Sequence, residues 1–312
     1  MAYTQPPLLG RLCAFTACYR YDMETPVRVT DIHKDGYRLF RQKVGLWYWV
    51  IVIAGVLIDL ALLVYAGNLV QADRFDGDMA EGLLYAFFAP WILLTVIQAG
   101  ITATVRQSFW KQFAADKGWT YARSGTLTGE RGLMFREGHG RMAANVITGD
   151  FAGLPLRFFE YAFTVGSGKS SRSYKYTVFE FRFSGSFPHL YLNYKQDGYN
   201  ISPGKELHLP EGLRQKFHLY APTQYEIEAL QVFSPDVLAL IEDLDWAYDL
   251  ELVEQELIVY MPDHVNTRGA LEMEFARATA LVSRLRPVLE RMTLAKIGTN
   301  EPILSAPKLR MR

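Results

Sequence analysis

The chain has 312 residues, and its 33 Lys and Arg balance 33 Asp and Glu, so the formal net charge is zero. A neutral chain lacks the basic excess that draws proteins to nucleic acid, so we expect no nucleic-acid partner. Half of the residues are hydrophobic, and the length leaves room for a membrane anchor beside one domain.

The N-terminal segment, residues 1–43, holds both cysteines, Cys13 and Cys18. Two cysteines are too few for a fold built on disulfides. With His33 they also fall short of a structural zinc site, which normally uses two close pairs of ligands. The sequence therefore predicts no metal and no other cofactor. The end of this segment, 31–43, mixes apolar and basic side chains and predicts an amphipathic stretch at a membrane surface.

Residues 44–106 are predicted to form a transmembrane helical hairpin. The stretch 46–66 contains one charged residue and the stretch 83–104 contains none. At a rise of about 1.5 Å per residue, each reaches across the roughly 30 Å hydrocarbon core of a bilayer. Trp47 and Tyr65 lie near the two ends of the first stretch, where aromatic residues are enriched in membrane helices.

Asp59 is the charged residue in the first stretch, and an acid at this depth costs about 3 kcal/mol. Twelve Leu, Ile and Val residues of the same stretch contribute roughly 0.4 kcal/mol each, so we expect it to insert. Antiparallel packing places Asp59 near Trp91, with Thr95 about one turn away, and predicts a hydrogen-bonded structural carboxyl. A proton or ion relay, or a contact to another membrane subunit, is the alternative reading. A relay needs a second ionisable group, and neither stretch offers one.

Lys and Arg flank the hairpin on its terminal sides. Residues 1–43 hold seven of them and 106–117 hold three, whereas the connecting loop, 67–82, holds only Arg74 among four acids. Since positive charge is concentrated on cytoplasmic segments, both termini are predicted to be cytoplasmic. We therefore expect a multi-pass protein of the inner, cytoplasmic membrane. Its predicted partners are the lipid bilayer and a protein in the membrane or at its inner face.

Residues 107–295 are predicted to form a cytoplasmic α+β domain with an antiparallel meander sheet. The second membrane helix should continue through Lys117 and end at Gly118. Strands are predicted from period-two patterns, and they are 133–136, 142–148, 156–165, 174–183 and 190–194.

Alternation within the hairpin 156–165 and 174–183 predicts one aromatic face for a core and one mixed face. The aromatic face is built from alternate residues of both strands, including Phe159 and Phe179. The mixed face should carry Glu160, Glu180 and Arg182 for cross-strand pairing.

The remaining elements follow in order along the chain. Ser234 followed by Pro235 is typical of a helix start and predicts a helix over 234–244. A second hairpin, with strands at 248–253 and 256–260, precedes a helix over 267–292. The basic tail, 296–312, is predicted to be disordered.

Four segments of this chain resemble a loosely defined set of bacterial membrane proteins. They are 113–119, 145–149, the aromatic strand 158–163 and 233–240. Those proteins place a cytoplasmic domain of unknown function after one or two N-terminal spans. The resemblance supports this architecture and implies no activity and no site residue.

The loop after the first hairpin strand contains Gly166-Ser-Gly-Lys169, which is similar to part of a phosphate loop. That motif requires glycine where Phe163 stands, and it joins a strand to a helix rather than two antiparallel strands. We therefore interpret the segment as a basic hairpin loop. Lys169, Arg172 and Lys175 near its tip are candidates for contact with lipid headgroups or a partner.

His139 is flanked by glycines, which predicts a tight turn, and it could form an acid/base pair with Glu137 or Asp150. Glu137 and Arg141 lie two residues to either side, so a catalytic site near 137–150 is one hypothesis. The leading hypothesis is a membrane-tethered interaction or scaffold module without enzymatic activity. A membrane-anchored enzyme using these three residues, or a subunit of a transport or envelope complex, remains the alternative.

Overall fold

A computed structural model of the protein describes residues 28–71, 77–127, 131–199 and 201–292. The predictions for Cys13, Cys18, Arg74 and the tail 296–312 lie outside these residues. The helices are α1 Ile32–Gln71, α2 Gly77–Lys117, α3 Glu211–Lys216, α4 Glu226–Val232, α5 Pro235–Asp243 and α6 Arg268–Met292. The strands are β1 Thr120–Gly125, β2 His139–Phe151, β3 Leu154–Val165, β4 Arg172–Tyr194, β5 Lys205–Leu207, β6 Phe217–Ala221 and β7 Asp249–Pro262.

Helices α1 and α2 contain the two predicted hydrophobic stretches. Gly45–Gln71 and Ala80–Lys117 are long and apolar enough to cross a membrane, and only 11% of the most apolar part of each is buried. Gly45 divides α1, because its φ of 36° and ψ of −117° are not helical. Residues with a Cβ rarely adopt a positive φ, so glycine is suited to this break. The break separates the segment that was predicted to be amphipathic from the apolar stretch, close to the predicted boundary.

Helix α2 is one continuous element of 41 residues. At about 1.5 Å per residue it is roughly 60 Å long, which is twice what a bilayer core requires. Its second half is buried inside the domain through Val105, Phe109, Trp110 and Phe113. The predicted continuation through Lys117 is confirmed, and the helix ends before Gly118, whose φ is 69°.

The seven described strands form one antiparallel sheet in the order β1-β2-β3-β4-β6-β5, and β7 pairs with β4. Together with the helices this confirms the α+β class. Strand β7 lies along β4 from the pair Tyr176–Pro262 to the pair Leu192–Leu250. The far end of β4 therefore has β7 on one side and β6 on the other.

The predicted division into an aromatic and a mixed face is wrong. Phe158 pairs with Phe179, so these two rings lie on one face together with Glu160, while Phe159 and Glu180 lie on the other. A register difference of one residue moves every side chain of a strand to the opposite face. Alternation within each strand cannot reveal which residues of the two strands stand opposite each other. Both faces carry aromatic residues, and both are covered.

Two further strand predictions differ from the structure, one in its type and the other in its bounds. Leu133–Arg136 is a short 3-10 helix with its first three residues buried. It lies over the sheet instead of joining it. The backbone N–H of Leu133 donates to the side-chain carboxylate of Glu251 on β7 at 3.0 Å, and not to the backbone of a neighbouring strand. The stretch 190–194 is a strand as predicted, but it is the end of β4 and not a separate element.

The predicted second hairpin is a single strand. Strand β7 runs unbroken from Asp249 to Pro262, and Glu254 in its middle has a φ of 54°. The polar residues between 253 and 256 form an irregularity in the pairing with β4, where the register shifts. An irregularity of this kind bends a strand without reversing it, and sequence alone reads the same residues as a turn.

Helices and irregular segments cover opposite faces of the sheet. On one face, Phe275 of α6 packs against Phe113 of α2 and against Phe158 and Phe179 of the sheet. On the other face, the segments 131–138 and 195–199, together with Ile201, cover a second cluster of apolar and tyrosine side chains. The predicted helices 234–244 and 267–292 are present as α5 and α6. Strands β1, β5 and β6 and the short helices α3 and α4 were not predicted.

Candidate functional site

Arg106 lies where α2 passes from its apolar stretch to the sheet. Its guanidinium forms an ion pair with Glu160 of β3 and also donates to the side-chain oxygen of Asn266. The indole N–H of Trp110 donates to Glu160 Oε1 at 3.0 Å, and Asn145 Nδ2 donates to Glu160 Oε2 at 2.7 Å. The side chain of Glu160 is only 3% exposed. A buried carboxylate is stable in a fold when it is paired and hydrogen-bonded in this way.

The surroundings of Glu160 are arranged by strands β1 and β2. The hydroxyl of Tyr121 donates to Asn145 Oδ1 at 2.9 Å, which directs the amide N–H of Asn145 toward Glu160. Asn145 has a φ of 52°, a conformation that Asn tolerates better than most residues. His264 Nδ1 lies 4.0 Å from Glu160. Burial lowers the pKa of His264, although the charge of Glu160 acts in the opposite direction.

A second polar cluster lies within the sheet and is centred on Asp249 of β7. This fully buried carboxyl accepts a hydrogen bond from the Tyr191 hydroxyl at 2.5 Å and from the Tyr194 backbone N–H at 2.6 Å. Burial raises the pKa of Asp249 well above its usual range, and the nearby carboxyl of Asp197 adds to the effect.

Asp197 belongs to the segment that covers the second face of the sheet. It accepts hydrogen bonds from the Tyr176 hydroxyl at 3.3 Å and from the Tyr199 backbone N–H at 3.0 Å. Burial raises the pKa of Asp197 to about 7, against the lowering effect of these two donors. The covering segment is thus attached to β4 through an acid that titrates near neutral pH.

Glu251 attaches the other covering segment. Its carboxylate is within 2.5 Å of His189 Nε2 and accepts a hydrogen bond from the Tyr260 hydroxyl at 2.7 Å. It also accepts the backbone N–H of Leu133, so the 3-10 helix is held against the sheet. Burial raises the pKa of Tyr260 well above its usual range, which keeps its hydroxyl protonated as a donor.

The structure does not bring the three predicted catalytic residues into one constellation. Glu137 is buried and accepts a hydrogen bond from Tyr199 at 2.6 Å. His139 is exposed, with Nε2 at 2.9 Å from the carbonyl oxygen of Gly166. Arg141 donates to the carbonyl oxygen of Phe135 at 2.7 Å. Each side chain therefore has a different partner, and each partner belongs to the fold itself.

The predicted basic loop lies at the turn between β3 and β4. Lys169 is part of a short 3-10 turn at its tip. The Arg172 guanidinium lies 5.1 Å from the centre of the Tyr174 ring. Lys175 is the fourth residue of β4 and is exposed. All three cations are directed to the surface at one end of the sheet.

Of the polar residues within the apolar stretches, Asp59 and Trp91 are brought together. The Trp91 indole N–H donates to Asp59 Oδ2 at 2.9 Å, whereas Oδ1 has no hydrogen-bond partner among the described residues. Thr95 donates to the carbonyl oxygen of Ile92 in its own helix and does not reach Asp59. Gly55 allows the close approach of the helices, because a Cβ there would lie 3.3 Å from Pro90.

Sequence reasoning missed the ion pair of Arg106 with Glu160 and the buried acids of β7. Arg106 is a positive charge next to a hydrophobic stretch, and in the sequence such a residue indicates only the membrane orientation. Asp249 and Glu251 alternate with Leu250 and Leu252, which is the pattern of a strand with one solvated face. Only the segments that cover this face make these two carboxyls buried.

The fold and these sites define an α+β protein in which two long apolar helices, candidates for membrane spans, lead into a large antiparallel sheet. No protein-family model and no curated protein matches the chain. Among solved structures, the crystal structure of the mycobacterial trehalose monomycolate transport factor A, TtfA, matches with a TM-score of 0.40 and 16% sequence identity. The match covers 59% of this chain and 95% of that chain. A likeness at that level establishes neither a shared fold nor a shared function.

Proposed function

We propose that the protein is a membrane-tethered interaction module. In this proposal α1 and α2 cross the inner membrane with both termini in the cytoplasm, and the sheet domain binds a protein partner at the inner face. The observation that carries the proposal is the continuity of α2, whose apolar first half and domain-forming second half are one helix, Gly77–Lys117. A domain on such a helix is held at a defined height above the bilayer, which suits a tether.

The junction at Arg106 supports the same proposal. A flexible linker would leave a tethered domain free to rotate, whereas Arg106 and Trp110 connect the helix to Glu160 inside the sheet. The exposure of large apolar side chains along both helices supports membrane insertion. Leu57 is 61% exposed and Val64 is 66% exposed, and surfaces of this kind are rare on soluble monomers.

The disposition of the polar groups favours binding over catalysis. The carboxyls of Glu160, Asp249 and Glu251 are buried and hydrogen-bonded to groups of the fold. The described cavities lie elsewhere, between α4, α5 and α6 and beside the turn at Gly153. A reaction catalysed by the purified protein and abolished by His139→Ala would replace this proposal with the enzyme hypothesis.

The test uses the full chain in its native membrane. We expect the protein to remain in the membrane pellet after alkaline carbonate washing, because this treatment removes peripheral proteins and leaves inserted helices in the bilayer. Cross-linking in intact membranes should join lysines of the sheet domain to one recurrent protein. The double substitution Arg106→Gln with Glu160→Gln removes the ion pair that fixes the sheet to α2 at the junction, and it should reduce these cross-links.

The matched control is the exposed ion pair Arg284–Asp236 on the helical face. Its double substitution to Gln and Asn should leave the cross-links unchanged, because it does not connect the sheet to α2. Release of the protein by carbonate would overturn the tether. Cross-links that do not recur on one protein would overturn the oriented interaction module. Cross-links that the double substitution at Arg106 and Glu160 leaves unchanged would overturn it as well.

A further inference from the structure

One end of the sheet carries a concentration of basic side chains, although the whole chain is neutral. We call it the basic end, and its cations are Arg136, Arg141, Lys169, Arg172 and Lys175. All five are exposed. Among the described residues, none of them forms an ion pair with a carboxylate. The acids described at this end are the exposed Asp263, which follows β7, the half-buried Asp197 and the buried Glu137.

The register brings these cations together from separate parts of the chain. His139, at the start of β2, pairs with Thr164 near the end of β3. Pro262, at the end of β7, pairs with Tyr176 near the start of β4. The start of β2, the β3–β4 turn and the end of β7 therefore meet at the same edge, and the basic end is a product of topology.

The contacts of α2 show which way this end points. Proceeding along α2 away from its apolar half, Arg106 contacts Glu160, Trp110 contacts both Glu160 and Phe158, and Phe113 contacts Phe158. Strand β3 therefore runs antiparallel to α2. Continuing along β3 from Glu160 to Gly166 leads back toward the apolar half, over about 20 Å at 3.3 Å per residue.

We propose that the basic end docks on the headgroups of anionic lipids in the membrane that holds α1 and α2. This inference rests on the proposed tether. Charge and position favour this occupant, because cations without a carboxylate partner among the described residues stand on the side of the domain that faces the bilayer in the proposed tether. Cytoplasmic leaflets rich in anionic lipid attract such cations. Docking would fix the domain at two points, the junction at Arg106 and the β3–β4 turn.

The test reports how close the turn is to the lipid surface. The full chain carries Cys13→Ser, Cys18→Ser and Ser170→Cys, with a fluorophore at position 170. It is reconstituted into phosphatidylglycerol or phosphatidylcholine vesicles containing a lipid with a quencher on its headgroup. We expect strong quenching in phosphatidylglycerol and weak quenching in phosphatidylcholine. Salt at about 1 M, which shortens the screening length to about 3 Å, should remove the difference.

Charge removal supplies the decisive comparison. The triple variant Lys169→Gln, Arg172→Gln and Lys175→Gln should lower the ratio of docked to undocked protein about fivefold for each cation removed. The control removes three cations from the opposite end of the sheet, Lys205→Gln, Arg214→Gln and Lys216→Gln, and should leave quenching unchanged. Equal quenching in the two kinds of vesicle would overturn the inference. So would undiminished quenching in the variant that lacks Lys169, Arg172 and Lys175.

A second probe separates this inference from the tether. Leu63 lies in the apolar half of α1 and is 61% exposed. A fluorophore on Leu63→Cys should be quenched by a quencher attached to lipid acyl chains in both kinds of vesicle. If it is not quenched, the tether fails and the docking fails with it. If it is quenched while the probe at position 170 is not, only the docking is wrong.

Discussion

Glu160 shows how a single buried charge joins two parts of the molecule. Its carboxylate binds Arg106 and Trp110 of α2 as well as Asn145 of β2. Because it is almost fully buried, its charge depends on Arg106 for compensation. Removing either partner leaves the other charge in a poorly solvated site, so the two residues are expected to be energetically coupled.

We predict that Arg106→Ala lowers the free energy of unfolding by about 3–5 kcal/mol, because it leaves a buried carboxylate without a counter-charge. Glu160→Ala should have a comparable effect. The double variant should lose less than the sum of the single losses, since the two residues share one interaction. Chemical denaturation in detergent measures all three values. Strict additivity would contradict the coupling.

Asp197 gives the molecule a predicted dependence on pH. Its pKa is raised from 3.8 to about 7 by burial, so the folded state binds this proton more tightly than the unfolded state does. The stabilisation that this bound proton gives to the folded state is complete below pH 3.8 and is lost as the pH rises through about 7. The protein should therefore be less stable at pH 8 than at pH 5.

The variant Asp197→Asn cannot ionise at this position, so its free energy of unfolding should fall less steeply as the pH rises. The two slopes should differ by up to about 1.4 kcal/mol per pH unit between the two pKa values. Thermal unfolding at pH 5, 6, 7 and 8 measures the profile. Asp243→Asn, at an exposed position on α5, is the control and should follow the natural protein. A variant profile as steep as that of the natural protein would show that Asp197 is not the group that titrates.

At the scale of elements, the corner between α2 and β1 depends on the contact of Trp119 with Gly149. Trp119 packs against Phe113 and Phe151, and its indole N–H donates to the carbonyl oxygen of Asp150 at 3.1 Å. A Cβ at Gly149 would lie 2.1 Å from Trp119 Cδ1. Since the clash is with the base of the ring, the whole indole would have to move.

We predict that Gly149→Ala destabilises the protein by about 1–3 kcal/mol through this overpacking. Gly269→Ala is the matched control, because it lies in α6 and a Cβ there has no neighbour within 4 Å. Alanine is a better helix former than glycine, so that control should be unchanged or up to about 1 kcal/mol more stable. Thermal unfolding with tryptophan fluorescence measures both. Equal stability of the two variants would refute the packing argument.

For the whole molecule, α2 belongs to the sheet domain as much as to the apolar hairpin. Phe109, Trp110 and Phe113 are each at most 1% exposed and lie in the larger core. Burying a large apolar side chain contributes about 1.5–3 kcal/mol, so the three together match a large part of the roughly 5–15 kcal/mol stability of a typical domain.

A fragment of residues 105–292 should therefore unfold cooperatively on heating, whereas a fragment of residues 118–292 should not. Circular dichroism and calorimetry distinguish the two. The longer fragment retains the three aromatic residues and Arg106, and the shorter one exposes the surface that they cover. Cooperative unfolding of the shorter fragment at the same temperature would show that the sheet is stable without α2.

The sequence by itself determined the two apolar helices, the continuation of α2 to Gly118, the helices α5 and α6 and the α+β class. These features depend on local periodicity, chain length and the proline and glycine residues at helix ends, all of which can be read along the chain. Only the tertiary structure decided the pairing of Phe158 with Phe179, the continuity of β7 and the burial of Asp249 and Glu251. Register and coverage arise from contacts between residues distant in the chain, and no local pattern specifies which partner a strand or a charge will meet.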